Sequence, residues 1–134
     1  MRFNRQRLVQ SDEGTIAPLV AGYLALLMMV GLLASNVVAA MSFANRLQGF
    51  TDLAVIYAHE RALRIGIPQQ GLIQTELSKF LSQAPSAKRI VLHSTKVSIQ
   101  GPVSTLEFCA KFSFPLSPGG VVICKQARAQ SFLL

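Results

Sequence analysis

Residues 14–45 read GTIAPLVAGYLALLMMVGLLASNVVAAMSFAN, and the rest of the chain is organised around them. The stretch contains no Asp, Glu, Lys, Arg or His. A helix needs about 20 apolar residues to cross the hydrocarbon core of a bilayer, which is about 30 Å thick. At 1.5 Å per residue this run reaches about 48 Å, so it can cross with length to spare. The expected organisation is a leader over 1–13, a transmembrane helix over 14–45 and an α+β domain over 46–134.

The flanking charges set the expected orientation. Arg2, Arg5 and Arg7 precede the apolar run, and Arg46 is the only basic residue in the dozen positions after it. Basic residues concentrate on the cytoplasmic side, which predicts a single-pass protein of the cell membrane with a cytoplasmic N-terminus and an extracytoplasmic C-terminal domain. Arg61 and Arg64 weaken that asymmetry without reversing it. A cleaved signal peptide is the competing reading, since Val38-Ala39-Ala40 resembles a cleavage site. Secretory apolar regions span about 7–15 residues, and this one is about twice as long, which favours a retained anchor.

The formal charge is +7, but the thirteen Lys and Arg residues are scattered, with only Lys88-Arg89 adjacent. No aromatic residues interleave with them as stacking platforms for bases. The expected partner of this charge is a membrane surface or an anionic cell-wall polymer, and no nucleic acid is expected.

Helical character continues past the apolar run. Thr15 can cap the helix and Pro18 sits in its first turn, where a missing N–H costs little. Residues 45–65, NRLQGFTDLAVIYAHERALRI, contain no proline. Leu47, Phe50, Ala54, Tyr57 and Ala58 fall on one face, and Leu53, Ile56 and Leu63 widen the apolar sector. One helix of about 50 residues is predicted, ended by Gly66 and Pro68. Within it, Ala17, Ala21 and Ala25 recur every fourth position, as do Gly31, Ser35 and Ala39. Such rows let a second helix approach closely.

Residues 70–84 form a second, short amphipathic helix, with Ile73, Leu77, Phe80, Leu81 and Ala84 on one face. Strands are predicted over 89–100, 103–114 and 119–131, the first two joined by Gly101-Pro102. In the second strand Leu106, Phe108, Ala110, Phe112 and Phe114 alternate with Glu107, Cys109, Lys111 and Ser113. If Cys109 faces Cys124, then Phe114 faces Gly119 and the loop is 115–118. The two cysteines are the candidate disulfide, on the polar face of an extracytoplasmic hairpin, where the bond is chemically permitted. Two unpaired small residues are the alternative.

Convergent catalytic chemistry is not legible. His59 and His93 are the only histidines, and His59 is expected at the surface of the helical spine. No spacing supports a metal site, and no nucleophile motif or phosphate loop is present. No enzyme activity, cofactor or small-molecule substrate is expected. The polar residues that stand out follow the apolar run. Arg46 can snorkel to headgroups, while Gln48 and Asp52 either face water or contact a neighbouring subunit.

The order of these features resembles the TadE/TadG-like proteins, accessory or minor-pilin components of tight-adherence (Flp-type) pili. The resemblance covers about residues 11–63: Asp12-Glu13-Gly14, the long apolar helix, then Arg46, Gln48, Asp52, Leu53, Ala54 and Ala58. It implies a pilin-like architecture, partners among pilus or secretion subunits, and Gly14-Thr15 as the candidate processing site. Processed pilins carry Glu at the fifth mature position, where this chain has Leu19, so an accessory role is implied. A pseudopilin-like component of a secretion or competence system is the related alternative. From a different class, a secreted binding domain remains.

Overall fold

The computed structural model describes residues 16–116 and 118–131. The fold is α+β: helix α1 (Ile16–Ile65), helix α2 (Gln70–Gln83), a 3-10 turn (Ala87–Arg89), then strands β1 (Leu92–Gln100), β2 (Val103–Ser113) and β3 (Gly120–Gln130). The predicted 50-residue helix is continuous. The chain divides into two compact units, with the boundary between Ser35 and Asn36.

In the first unit every described residue of α1 is exposed, including Leu19, Leu26, Met28 and Leu33. An 18-residue window of this helix has a mean hydropathy of 2.3. It is long and apolar enough to cross a membrane.

The second unit closes one core between the C-terminal part of α1, α2 and one face of the sheet. Leu47, Phe50, Ala54, Val55, Ala58 and Ala62 of α1 are buried together with Ile73 and Leu77 of α2 and Leu106, Phe108 and Ala110 of β2. Burying a side chain such as Phe108, which is fully covered, is worth about 1.5–3 kcal/mol. Ala54, Ala58 and Ala62 recur every fourth residue with no exposed surface, the pattern that lets a helix lie close on a sheet. Phe50 bridges the layers, 5.5 Å from Phe80 and 5.6 Å from Phe108 between ring centroids.

Local chemistry sets the element ends. Gly66 takes φ 153°, where side chains are rarely tolerated, and its N–H bonds the Ala62 carbonyl as α1 stops. Ala84 leaves α2 in an extended conformation because Pro85 disfavours helical geometry in the residue before it.

The sheet is antiparallel in the order β1-β2-β3. Gln100 pairs with Val103, so Gly101-Pro102 is a two-residue turn, with Gly101 at φ 58°. Pro102 cannot take positive φ, which leaves the turn form that needs glycine only at its first central position. The Cys109–Cys124 register is as expected, and the disulfide is formed. The ladder, however, ends at Ser113↔Gly120, so the loop is 114–119 and not 115–118. β1 starts at Leu92 and not at residue 89, because the 3-10 turn occupies Ala87–Arg89.

A register shift between Leu92 and Ser94 leaves His93 as an extra residue, a β-bulge. Strict alternation would put His93 opposite Ala110 on the core face. The bulge puts Leu92 there, packed against the core, and keeps His93 exposed.

Candidate functional site

Four polar residues of the second unit, Thr51, His59, Glu76 and Ser104, are buried. His59, expected at the surface, is buried at 3% exposure. Its Nδ1 lies 2.8 Å from Ser104 Oγ on β2, and Nε2 is buried without a partner among the described residues. Neutral His59 fits best with the proton on Nδ1, donated to Ser104, because an unpaired acceptor costs less than an unpaired N–H. Burial pushes its pKa below the usual histidine value, opposed by the nearby Glu60 carboxylate. The distance would suit a serine–base pair, but Ser104 is 1% exposed, so this is a sealed polar link between α1 and β2. Helical periodicity missed it because the stripe facing the sheet includes Thr51 and His59 and excludes Leu53 and Ile56.

Thr51 is likewise buried, its hydroxyl donating to the Leu47 carbonyl at 2.7 Å. Gln48 Nε2 donates to Asp52 Oδ1 at 2.9 Å and to the Gln126 carbonyl of β3 at 3.2 Å. Gln48 thus ties α1 to β3 within the chain, and Asp52 is half-buried beside that amide. Arg46 is exposed.

The cysteines offer no metal centre. Glu107, Cys109 and Cys124 place their ligand atoms within 4.8 Å of one another, but both sulfurs are spent in the disulfide and no thiolate is left. Glu107 instead pairs across the sheet with Lys96, Nζ to Oε1 3.8 Å. Cys109 lies on the outer face as expected, yet it is only 6% exposed. It sits on the central strand, flanked by Ser94 on one side and Cys124 on the other.

Of the candidate interface residues, Ala17, Ala21, Ala25, Gly31 and Ser35 are exposed along α1, and Ala39 is half-buried. A Cβ added at Gly22 or Gly31 would meet nothing within 4 Å, so both glycines leave open space on the helix surface. Asn36, which the sequence reading did not single out, has a shielded Oδ1 without a partner among the described residues. Gly14 and Thr15 lie outside the described residues.

A concavity of about 580 Å³ lies beside α1 at the end of the uncharged stretch. Phe43, Phe50 and Leu53 of α1 and Ile90 provide its apolar wall. Arg46 from α1 and Arg89 from the 3-10 turn both line it, with Gly49, Pro85 and Ser86 completing the lining. No carboxylate lines the cleft, and neither arginine is in an ion pair among the described residues. Sequence order separates the two arginines by 43 positions, so no local pattern could have brought them together.

No family model, curated protein or solved structure matches the chain.

Proposed function

We propose that the chain is a non-enzymatic, single-pass membrane protein that works by assembly, as an accessory or minor-pilin component of a Tad (Flp-type) pilus or secretion apparatus. The supporting observation is the form of α1. A single 50-residue helix carries an entirely exposed apolar stretch and then serves as the spine of a disulfide-linked α+β unit. Exposed apolar surface on that scale needs lipid or other helices to cover it. In this reading the N-terminus is cytoplasmic and the α+β unit extracytoplasmic, where the disulfide is chemically stable.

Two features support lateral packing with partner helices. The rows Ala17/Ala21/Ala25 and Gly31/Ser35 are exposed, and small residues at that spacing let a partner helix approach closely. Gln48 and Asp52 serve this role less directly, since the Gln48 amide is already bonded within the chain to Asp52 and to the Gln126 carbonyl of β3.

Mass spectrometry of the mature N-terminus tests the membrane part of the proposal. An intact leader means a permanent anchor, Thr15 at the start means prepilin-type processing, and Met41 at the start means a secreted domain. Affinity capture from piliated cells tests the assembly role. Recovery of pilus or secretion-platform subunits is expected, and capture that recovers none of them refutes it.

A further inference from the structure

We propose that the Arg46/Arg89 cleft binds the headgroup of an anionic phospholipid of the bilayer that holds α1, an inference that rests on the membrane reading above. Two arginines, Arg46 and Arg89, line one cavity that no carboxylate lines, and neither has an ion-pair partner among the described residues. A guanidinium presents planar pairs of N–H donors that match phosphate oxygens, and it is less strongly hydrated than an ammonium.

Residues 14–45 carry no charge, so Arg46 is the first charged side chain beyond the apolar run. A charged residue immediately after a membrane span sits among the headgroups. Phe43 lies one helical turn before Arg46, about 4.5 Å nearer the hydrocarbon, and Leu53 about 10 Å further out. The cleft therefore runs along the helix across the depth of the headgroup layer, which is about 5–8 Å on each side of the core. The phosphate would sit between Arg46 and Arg89, and the glycerol and first acyl carbons against Phe43, Phe50 and Ile90.

Size agrees with this assignment. The cleft volume of about 580 Å³ falls in the ordinary range of small-molecule sites, roughly 300–1,000 Å³, and suits a headgroup with part of its chains. Ser86, also in the lining, carries a hydroxyl, a group able to bond a phosphate oxygen. A zwitterionic lipid offers the same phosphate but brings its own cation toward the two arginines. Anionic lipid is therefore preferred.

The test is native mass spectrometry of the full chain, released from detergent supplemented with equimolar phosphatidylglycerol and phosphatidylcholine. Retained adducts are expected to be mainly phosphatidylglycerol. Removing one basic residue at a membrane surface weakens binding about fivefold, so R46Q/R89Q should lose about thirtyfold. A control pair of equal charge loss, R64Q/R128Q, lies outside the cleft and should change binding less than twofold. Equal retention of the two lipids, full retention by R46Q/R89Q, or an equal loss in R64Q/R128Q overturns the proposal. So does photocrosslinking from a benzophenone side chain at Leu53, in cells, to an acidic protein segment instead of lipid. Alkaline carbonate washing separates this from failure of the membrane reading. Wild type and R46Q/R89Q should both stay in the membrane pellet, and release of the wild type overturns the anchor and the lipid site together.

Discussion

Breaking the Cys109–Cys124 bond should lower the stability of the α+β unit by about 2–3 kcal/mol. The bond joins residues 15 apart in sequence, and in the loop-entropy account a closed loop of 15 residues restricts the unfolded chain by about 3 kcal/mol. The two cysteines already face each other within a ladder that runs from Val103↔Gln130 to Ser113↔Gly120. The folded state therefore keeps its pairing without the bond, and the effect falls on the unfolded ensemble. For a unit of about 100 residues, each kcal/mol moves the midpoint by about 4–8 °C, so the expected fall is about 10–20 °C. The assay is thermal unfolding of the full chain in a mild detergent, followed by the strand signal in circular dichroism. Three samples are compared: oxidised wild type, reduced wild type and C109A/C124A. Because Cys109 is buried, the alanine pair also removes packed sulfur, and the reduced wild type isolates the bond itself. The two bond-free samples should agree within about 1 kcal/mol and retain the native spectrum at low temperature. A fall below about 3 °C, or loss of the sheet spectrum on reduction alone, refutes the reasoning.

Further predictions follow from the packing and charge. Ala58→Leu puts three carbons where α1 lies on the sheet with no exposed surface, and should cost about 1–3 kcal/mol in chemical denaturation. His59 is held neutral by burial, so its contribution is complete above the unfolded-state value near 6.5 and is lost as pH falls from there through its lowered folded value. Denaturation midpoints should decline over that window in wild type and decline less in His59→Gln. Gly120→Ala would place a Cβ 2.8 Å from the Phe112 carbonyl oxygen, so the start of β3 must shift. A loss of about 1–2 kcal/mol is expected, with hydrogen exchange faster at Phe112 and Val121 than at Ala127. Val30→Lys puts a charge in the middle of the exposed apolar stretch and should cost about 2.5–3.5 kcal/mol of insertion, read as a larger alkali-extractable fraction.

Strand β2 was readable because its alternation of large apolar and polar side chains matches the pleat, and the cysteine pair then set the register with β3. The hairpin turn was readable because Gly-Pro suits few geometries. The bulge at His93 was not. Nothing in the RIVLHSTKVSIQ run separates a bulge from unbroken alternation, and the choice falls to whether Leu92 or His93 faces the core. The candidate lipid site was half readable: Arg46 stood out by its place after the apolar run, whereas Arg89 looked like one of several scattered surface cations.

Sequence by itself determined the long uncharged helix, its continuation to Ile65, the second helix and the three-stranded meander, because those depend on local periodicity and on turn and breaker residues. Tertiary structure decided which stripe of the α1 spine is buried. The apolar sector is wider than the sheet can cover, so the small residues Ala54, Ala58 and Ala62 go inward and leave Leu53 and Ile56 exposed. That rotation carries His59 into the core and turns Gln48 toward β3. It also sets Arg46 beside a cleft whose other arginine comes from the turn after α2. A helix face is chosen by what can pack closest, and only the assembled fold supplies the surface against which that closeness is measured.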